Sequence, residues 1–281
     1  MWVMQRLLIA GYGDIARRTA ARSPEGVELR KLSRGLGVDL DRLETLGAIA
    51  GWADAVLYCA PPPAEGEHDT RIANFLGALE RGILPARVVY LSTSGVYGDC
   101  GGARVGEERA LDPRSARAVR RADAERRLAL WCSSRGVALV VLRVPGIYAA
   151  DRLPLERLRA GAPVLRAEDD VYTNHIHAED LAAICVQALR ADAAPGVYNA
   201  CDDSELKMGE WFDLIADRAG LPRPPRIARR DAAARIAPEL LSFMSESRRL
   251  SNAKLKREWG LRLAYPTVFD GVPRVIEAAS A

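Results

Sequence analysis

Arg6-Leu7-Leu8-Ile9-Ala10 is an apolar run that breaks directly into Gly11-Tyr12-Gly13-Asp14-Ile15-Ala16, a Gly-x-Gly-x-x-Ala turn. That spacing suits phosphate chemistry. Gly11 permits the tight turn, Gly13 lets the backbone approach a pyrophosphate, and the small Ala16 lets the following helix pack close to its strand, while the helix N-terminus favours negative charge. Such turns also join strands to helices with no ligand. What argues for a dinucleotide is position, since this turn opens the first βα unit of an alternating chain. His175 and His177 alternate along a short segment, but with no third ligand nearby they make no convincing metal site. His177 is expected to pack at the start of the next helix, where Glu179 and Asp180 would complement the dipole, and His175 is a candidate to face a substrate cleft.

The remaining composition narrows the class. The chain has 281 residues, is 49% hydrophobic and carries a net charge of +3 from 40 basic and 37 acidic residues. It can bury one large core or two modest ones. No basic run is interleaved with stacking aromatics, so nucleic acid is not implied. Five cysteines, Cys59, Cys100, Cys132, Cys185 and Cys201, are odd in number, scattered and free of any Cys-x-x-Cys pair. They read as free thiols of a reducing, cytoplasmic compartment. No run reaches membrane-spanning length, and the apolar N-terminus runs into the glycine turn without the polar segment and cleavage site of a signal peptide. Only Lys31, Lys207, Lys254 and Lys256 are lysines; every other basic residue is arginine.

The elements that must position these residues alternate as in a doubly wound parallel sheet. After the first strand, strands are expected at 27–32, 55–59, 88–91, 137–144 and 197–198, with helices at 15–22, 69–81, 117–134 and 178–189. The segment between the second strand and Ala55 is short, so a third strand is expected to be vestigial and that sheet edge trimmed. From Asp203 the strand signal fades, and beyond Leu221-Pro222-Arg223-Pro224-Pro225 the pattern is mostly helical. The expected architecture is α/β: a Rossmann-like lobe over 1–202, with 146–175 partly contributing to a substrate cleft, and a smaller helix-rich substrate lobe over 203–281.

Five motifs in order then resemble one family. They are the glycine turn, Tyr58-Cys59-Ala60-Pro61-Pro62-Pro63, Leu91-Ser92-Thr93-Ser94-Gly95-Val96-Tyr97-Gly98, Leu142-Arg143-Val144-Pro145-Gly146-Ile147-Tyr148, and the pair His175-Ile176-His177-Ala178-Glu179-Asp180 with Gly196-Val197-Tyr198-Asn199. Across nearly its whole length the chain resembles the extended and atypical short-chain dehydrogenases/reductases, the NAD-dependent epimerase/dehydratase family. The glycine turn departs slightly, because extended members more often show Gly-x-x-Gly-x-x-Gly.

The resemblance implies a nicotinamide dinucleotide over the carboxyl ends of the strands, with Gly11, Gly13, Asp14 and Ile15 at the pyrophosphate. The second strand ends Leu32-Ser33-Arg34 rather than in an acid, so Ser33 and Arg34 favour the 2′-phosphate of NADP, with NAD the second candidate; the open alternative is that Arg34 is one more solvated arginine. Asp39 and Leu40 would lie near adenine, Ala60 and Pro61 on the adenosine side, and Ser92 beside the cofactor. Thr93, Ser94 and His175 would meet a small-molecule substrate, with Thr93 bonding the reacting oxygen.

The resemblance fails at the proton-transfer pair. The family uses a tyrosine with a lysine four residues on, whose ammonium lowers the phenol's pKa. Alignment on Glu125 puts Arg117 and Arg121 at those positions, and none of the eight tyrosines is followed at that spacing by lysine. Arginine holds its proton, so Arg117 is no general acid or base, although Arg121 could still touch the cofactor. Arg117, Arg120, Arg121, Arg126 and Arg127 could equally be a solvated helix face. A surrogate donor would be Tyr97, Tyr148 or water. Two classes stay open: an oxidoreductase or epimerase/dehydratase-like enzyme with a degenerate site, or an inactive NADP-dependent sensor or interaction protein, in either case a monomer or homodimer.

Overall fold

Strands that are apolar on both faces must be covered on both, and the sheet is built that way. The structure, a computed structural model, describes residues 4–280. Six strands, β1 (Arg6–Ala10), β2 (Glu28–Leu32), β3 (Ala55–Tyr58), β4 (Arg87–Thr93), β5 (Ala138–Val144) and β6 (Gly196–Asn199), form one sheet in the order β6-β5-β4-β3-β1-β2. Every pairing in it is parallel. β2 is the half-exposed edge. Beyond it no further strand joins the sheet among the described residues, because between Leu32 and Ala55 the chain makes only 3-10 turns at Arg34–Leu36 and Leu43–Ile49.

Side chains alternate across this sheet with period two, and the helices divide accordingly. Leu7, Ile9, Leu57, Val89 and Leu142 pack with α1 (Asp14–Ala21) and α4 (Ala178–Ala188) on one face. Leu8, Val56, Tyr58, Val88 and Tyr90 pack with α2 (Thr70–Leu79) and α3 (Ala116–Arg135) on the other. Each such fully buried aliphatic side chain contributes about 1.5–3 kcal/mol. Asp69 caps α2 by accepting from the Ile72 N–H at 3.1 Å, and Ser115 caps α3 by accepting from Ala118 N–H at 3.2 Å. Gly136, at φ +67°, ends α3 in the left-handed conformation that glycine adopts most readily.

A second core gathers Tyr148, Leu158, Val164, Trp211, Phe212, Ile215, Val268 and Val272. It draws on the segment after β5 as well as on α5 (Met208–Arg218) and α6 (Val268–Ser280). Part of the C-terminal region returns to the sheet: Leu255 and Trp259, from the helix Ala253–Trp259, belong to the core under α1 and α4. The segment past 203 therefore covers both cores. Among the described residues no helix is long and apolar enough to cross a membrane, and no group of three His, Cys, Asp or Glu residues is placed to hold a metal ion.

Candidate active site

The carboxyl ends of β1, β2, β3 and β4 lie side by side, and the turn after β1 is fastened among them. The Gly11 N–H donates to Leu32 O at 2.9 Å, and Cys59 N–H donates to Ala10 O at 2.7 Å. Gly11 adopts φ +85°, and a Cβ there would come within 2.5 Å of Ala60 Cα. Its glycine is thus required by the turn and by the close approach of the β3 end. Gly13 is different. A Cβ on it would meet nothing within 4 Å, so open space lies beside the first turn of α1, where the Gly13 backbone is extended and serves as N-cap with no side-chain cap. That is a cradle a pyrophosphate could fill. Ile15 and Ala16 are buried under the turn, leaving the Ile15 backbone rather than its side chain for a ligand.

Asp14 meets cations, not the cradle. It accepts from Arg18 Nε at 3.0 Å and from Arg152 Nε at 3.2 Å, which ties the 3-10 turn Ala150–Arg152 to the start of α1. Arg18 and Arg22 both pair with Glu179 on α4. Arg152 had a sequence signal only as the base four residues after Tyr148. At the end of β2, Ser33 precedes a 3-10 turn, and Arg34 is exposed, its charge felt by Asp41. Asp39 is locked through its backbone to Thr45, and Leu40 is buried in the core. Arg71, a residue the sequence reading passed over, pairs with both Asp41 oxygens at 2.8 and 2.7 Å and donates to Pro61 O at 3.1 Å. It therefore ties the exposed Pro61 loop to the segment after β2, and its place in the first turn of α2 was the available signal.

Across the cleft, α3 presents Arg117 and Arg121, the residues expected from the sequence at the tyrosine and lysine positions. Arg121 donates through Nη1 to Leu91 O at 2.9 Å, Tyr90 Oη at 3.0 Å and Ala60 O at 3.2 Å, joining the ends of β3 and β4. Arg117, one turn earlier, is exposed and forms no hydrogen bond or ion pair among the described residues. Desolvation of the guanidinium where it lies against neighbouring chain, although the residue as a whole is exposed, and the Arg121 charge push its pKa down, yet a guanidinium stays protonated. Thr93 is half-buried; its Oγ1 accepts from the Gly95 N–H at 3.2 Å, which leaves the hydroxyl proton to donate elsewhere. Ser92 is buried and donates to Glu125 at 2.5 Å, so its hydroxyl is withdrawn from a cofactor; Ser94 is buried too.

The surrogate proton donors are misplaced. Tyr97 is 1% exposed, donates to Asn199 Oδ1 at 2.8 Å and accepts from Arg143 at 2.8 Å, while burial pushes its pKa up to about 12. It belongs to a buried network in which Arg143 pairs with Glu125 at 2.8 Å. Tyr148 is buried in the second core with its hydroxyl unbonded, and burial drives its pKa far up. A Cβ on Gly271 of α6 would come within 2.8 Å of Tyr148 Cζ, so helix backbone closes over the ring. His175 does not line an open cleft either. It stacks on Trp211 at 4.0 Å between ring centroids, with Nε2 enclosed, and burial lowers its pKa to about 3. His177 sits at the start of α4 as expected, accepting from the Glu179 N–H at 3.1 Å and packing on Tyr265.

The geometry invites comparison with known proteins. The family model described as NAD dependent epimerase/dehydratase matches residues 67–201, from α2 through β6. Among curated proteins, GDP-6-deoxy-D-mannose reductase of Pseudomonas aeruginosa is 28% identical over 161 residues, 52% of this chain and 53% of that enzyme; the match thus spans about half its length. Among solved structures, a functionally unknown conserved protein from Silicibacter pomeroyi superposes with a TM-score of 0.79 at 30% identity, covering 99% of this chain and 100% of that one. RMD from Pseudomonas aeruginosa complexed with NADPH (TM-score 0.74, 21% identity, 98% of each chain) shares the fold. So does Thermus thermophilus UDP-glucose 4-epimerase in complex with NAD (TM-score 0.74, 21% identity, 98% of this chain and 99% of that one). The glycine turn on a parallel sheet and the matching family model agree on one point: residues 67–201 of the chain are a domain of the NAD-dependent epimerase/dehydratase family.

Proposed function

We propose that this protein binds NADP(H) across the carboxyl ends of β1 to β4 and works as an oxidoreductase or epimerase/dehydratase-like protein on a small carbonyl or nucleotide-sugar-like compound. The observation that carries the reading is the open space at Gly13 beside the uncapped N-terminus of α1. Backbone N–H groups there would hold the pyrophosphate, and Ser33 with Arg34 would hold the 2′-phosphate. The neighbours supply the same chemistry, one in complex with NADPH and one with NAD. When bound, the nucleotide supplies hydride transfer. The chain's own part is orientation: Thr93 donates to the substrate oxygen, and Arg117 and Arg121 supply fixed positive charge. With Tyr97 and Tyr148 withdrawn into cores, the proton comes from solvent.

A second reading, an NADP-dependent sensor, is favoured by the same arginines, since they remove the family's proton-transfer pair without filling the cradle. Calorimetry decides the cofactor. NADPH is expected to bind more tightly than NADH, and Arg34→Ala to erase most of that gap, about 1–3 kcal/mol for a charge-assisted contact. Equal affinity of the unmutated protein for both would refute the assignment of Arg34. Loss of absorbance of bound NADPH with a panel of carbonyls and nucleotide sugars separates enzyme from sensor.

A further inference from the structure

The N-terminal turns of α3 hold positive charge that no carboxylate neutralises by contact. Arg121 is only 5% exposed. Its Nη1 is bonded to three uncharged oxygens, its Nε is enclosed with no partner, and its Nη2 makes no hydrogen bond among the described residues. Buried charges are ordinarily paired, because desolvation is otherwise uncompensated. Neither nearby acid makes a hydrogen bond or ion pair with Arg121 among the described residues, although the buried Asp69 Oδ2 has no partner of its own. Asp69 acts on Arg121 through space but bonds the Ile72 N–H, and Glu125, one turn further along α3, is held by Arg143 and Ser92. Arg117, one turn before Arg121 on the same face, is exposed and unpaired, and the first turn of α3 contains no acid. The helix dipole adds charge of the same sign.

All of this converges beside Thr93. Arg121 bonds Leu91 O, two residues before Thr93 on β4, and a Cβ on Gly95 would lie 3.6 Å from Ala118 of α3. Resting on the proposed nucleotide in the cleft, we propose that the substrate carries a carboxylate, held by Arg117 and Arg121 Nη2, next to a carbonyl whose oxygen accepts from Thr93. Two guanidinium groups one helical turn apart suit a planar carboxylate, which takes paired N–H donors, better than a neutral sugar ring.

The test uses full-length protein loaded with NADPH, so that added anions cannot enter the cofactor cradle. Binding of pyruvate and glyoxylate is compared with that of methyl pyruvate, the neutral ester, and with inorganic phosphate. Pyruvate should bind at millimolar concentrations, weaken as KCl is raised, and exceed methyl pyruvate by about tenfold or more. Arg117→Gln should weaken pyruvate about 10- to 100-fold with little change for methyl pyruvate. Arg121→Lys, which keeps the buried charge should Arg121→Gln not fold, should weaken it less. Equal affinity for acid and ester, no binding of either carboxylate, or pyruvate binding indifferent to Arg117→Gln would overturn the proposal. Phosphate binding without pyruvate binding would overturn the carboxylate assignment. Failure of the unmutated protein to bind NADPH would instead overturn the cofactor reading.

Discussion

The two walls of the cleft obey different rules. On the β1–α1 wall, Gly11 is dictated by a positive φ and by Ala60, whereas Gly13 has a negative φ and open space beside it, so only a ligand in that space would require glycine there. On the β4–α3 wall, Thr93 and Ser115 cap successive elements, and the residues that α3 carries at its start, Arg117 and Arg121, are not fixed by any backbone need. A helix surface accepts arginine in place of tyrosine or lysine with little backbone consequence, so side chains on this wall can vary without disturbing the glycine turn opposite.

The sharpest way to break that contrast is at the two glycines. Gly13→Val puts a branched side chain into the open cradle and should reduce binding of either nucleotide below detection, with only a modest change in Tm. Gly11→Val should do the opposite kind of damage: its left-handed φ alone costs on the order of 1–3 kcal/mol, and overlap with the Ala60 backbone adds to that, so the protein itself unfolds at lower temperature. Calorimetry and thermal melts on both variants check this. Undiminished binding by Gly13→Val would make the turn purely structural.

On the other wall, Arg117→Tyr combined with Arg121→Lys should raise reductase activity on generic carbonyls from near background by ~10²-fold or more, the size usual for one positioned acid/base group. Either single change should do far less, because the pair acts as a unit. No gain in the double variant, despite tight NADPH binding, would favour the sensor reading. Robust activity in the unmutated protein would show that solvent suffices as proton donor.

How far each wall was legible in the sequence follows from the same physics. The glycine turn, the alternation of strands and helices with its trimmed edge, and the boundaries of α3 are set by local pattern and could be read directly, whereas the order of the strands in the sheet could not. His177 was read correctly, because an N-cap is a local device. His175, Tyr148 and Tyr97 were misread, because motif position places the backbone but says nothing about which core closes over the side chain: α6 brings Gly271 onto Tyr148 from over 120 residues away, and Trp211 of α5 covers His175. Arg121 was located by alignment, but its capture by Tyr90 and two carbonyls depends on the meeting of β3, β4 and α3 and had no sequence signal.

The smallest expected effect sharpens the comparison on the substrate side. His175 is held neutral, its pKa lowered by burial to about 3, whereas the unfolded chain protonates near the ordinary value of 6.5. Its contribution is fully present above that value and is lost as pH falls below it. Asp202, which lies on the next segment and donates its N–H to His175 O at 2.8 Å, behaves in the opposite sense: burial raises its carboxyl to about 7, so its native state keeps a proton that the unfolded chain loses above 3.8. Its contribution is lost as pH rises from there to about 7. Between roughly pH 4 and 6.5 the two slopes, each at most about 1.4 kcal/mol per pH unit, run against each other. Urea unfolding should therefore show His175→Phe gaining stability on acidification relative to the unmutated protein, and Asp202→Asn losing it. If His175 instead lines the cleft, its ring will titrate near 6.5 by NMR and His175→Phe will leave the slope unchanged.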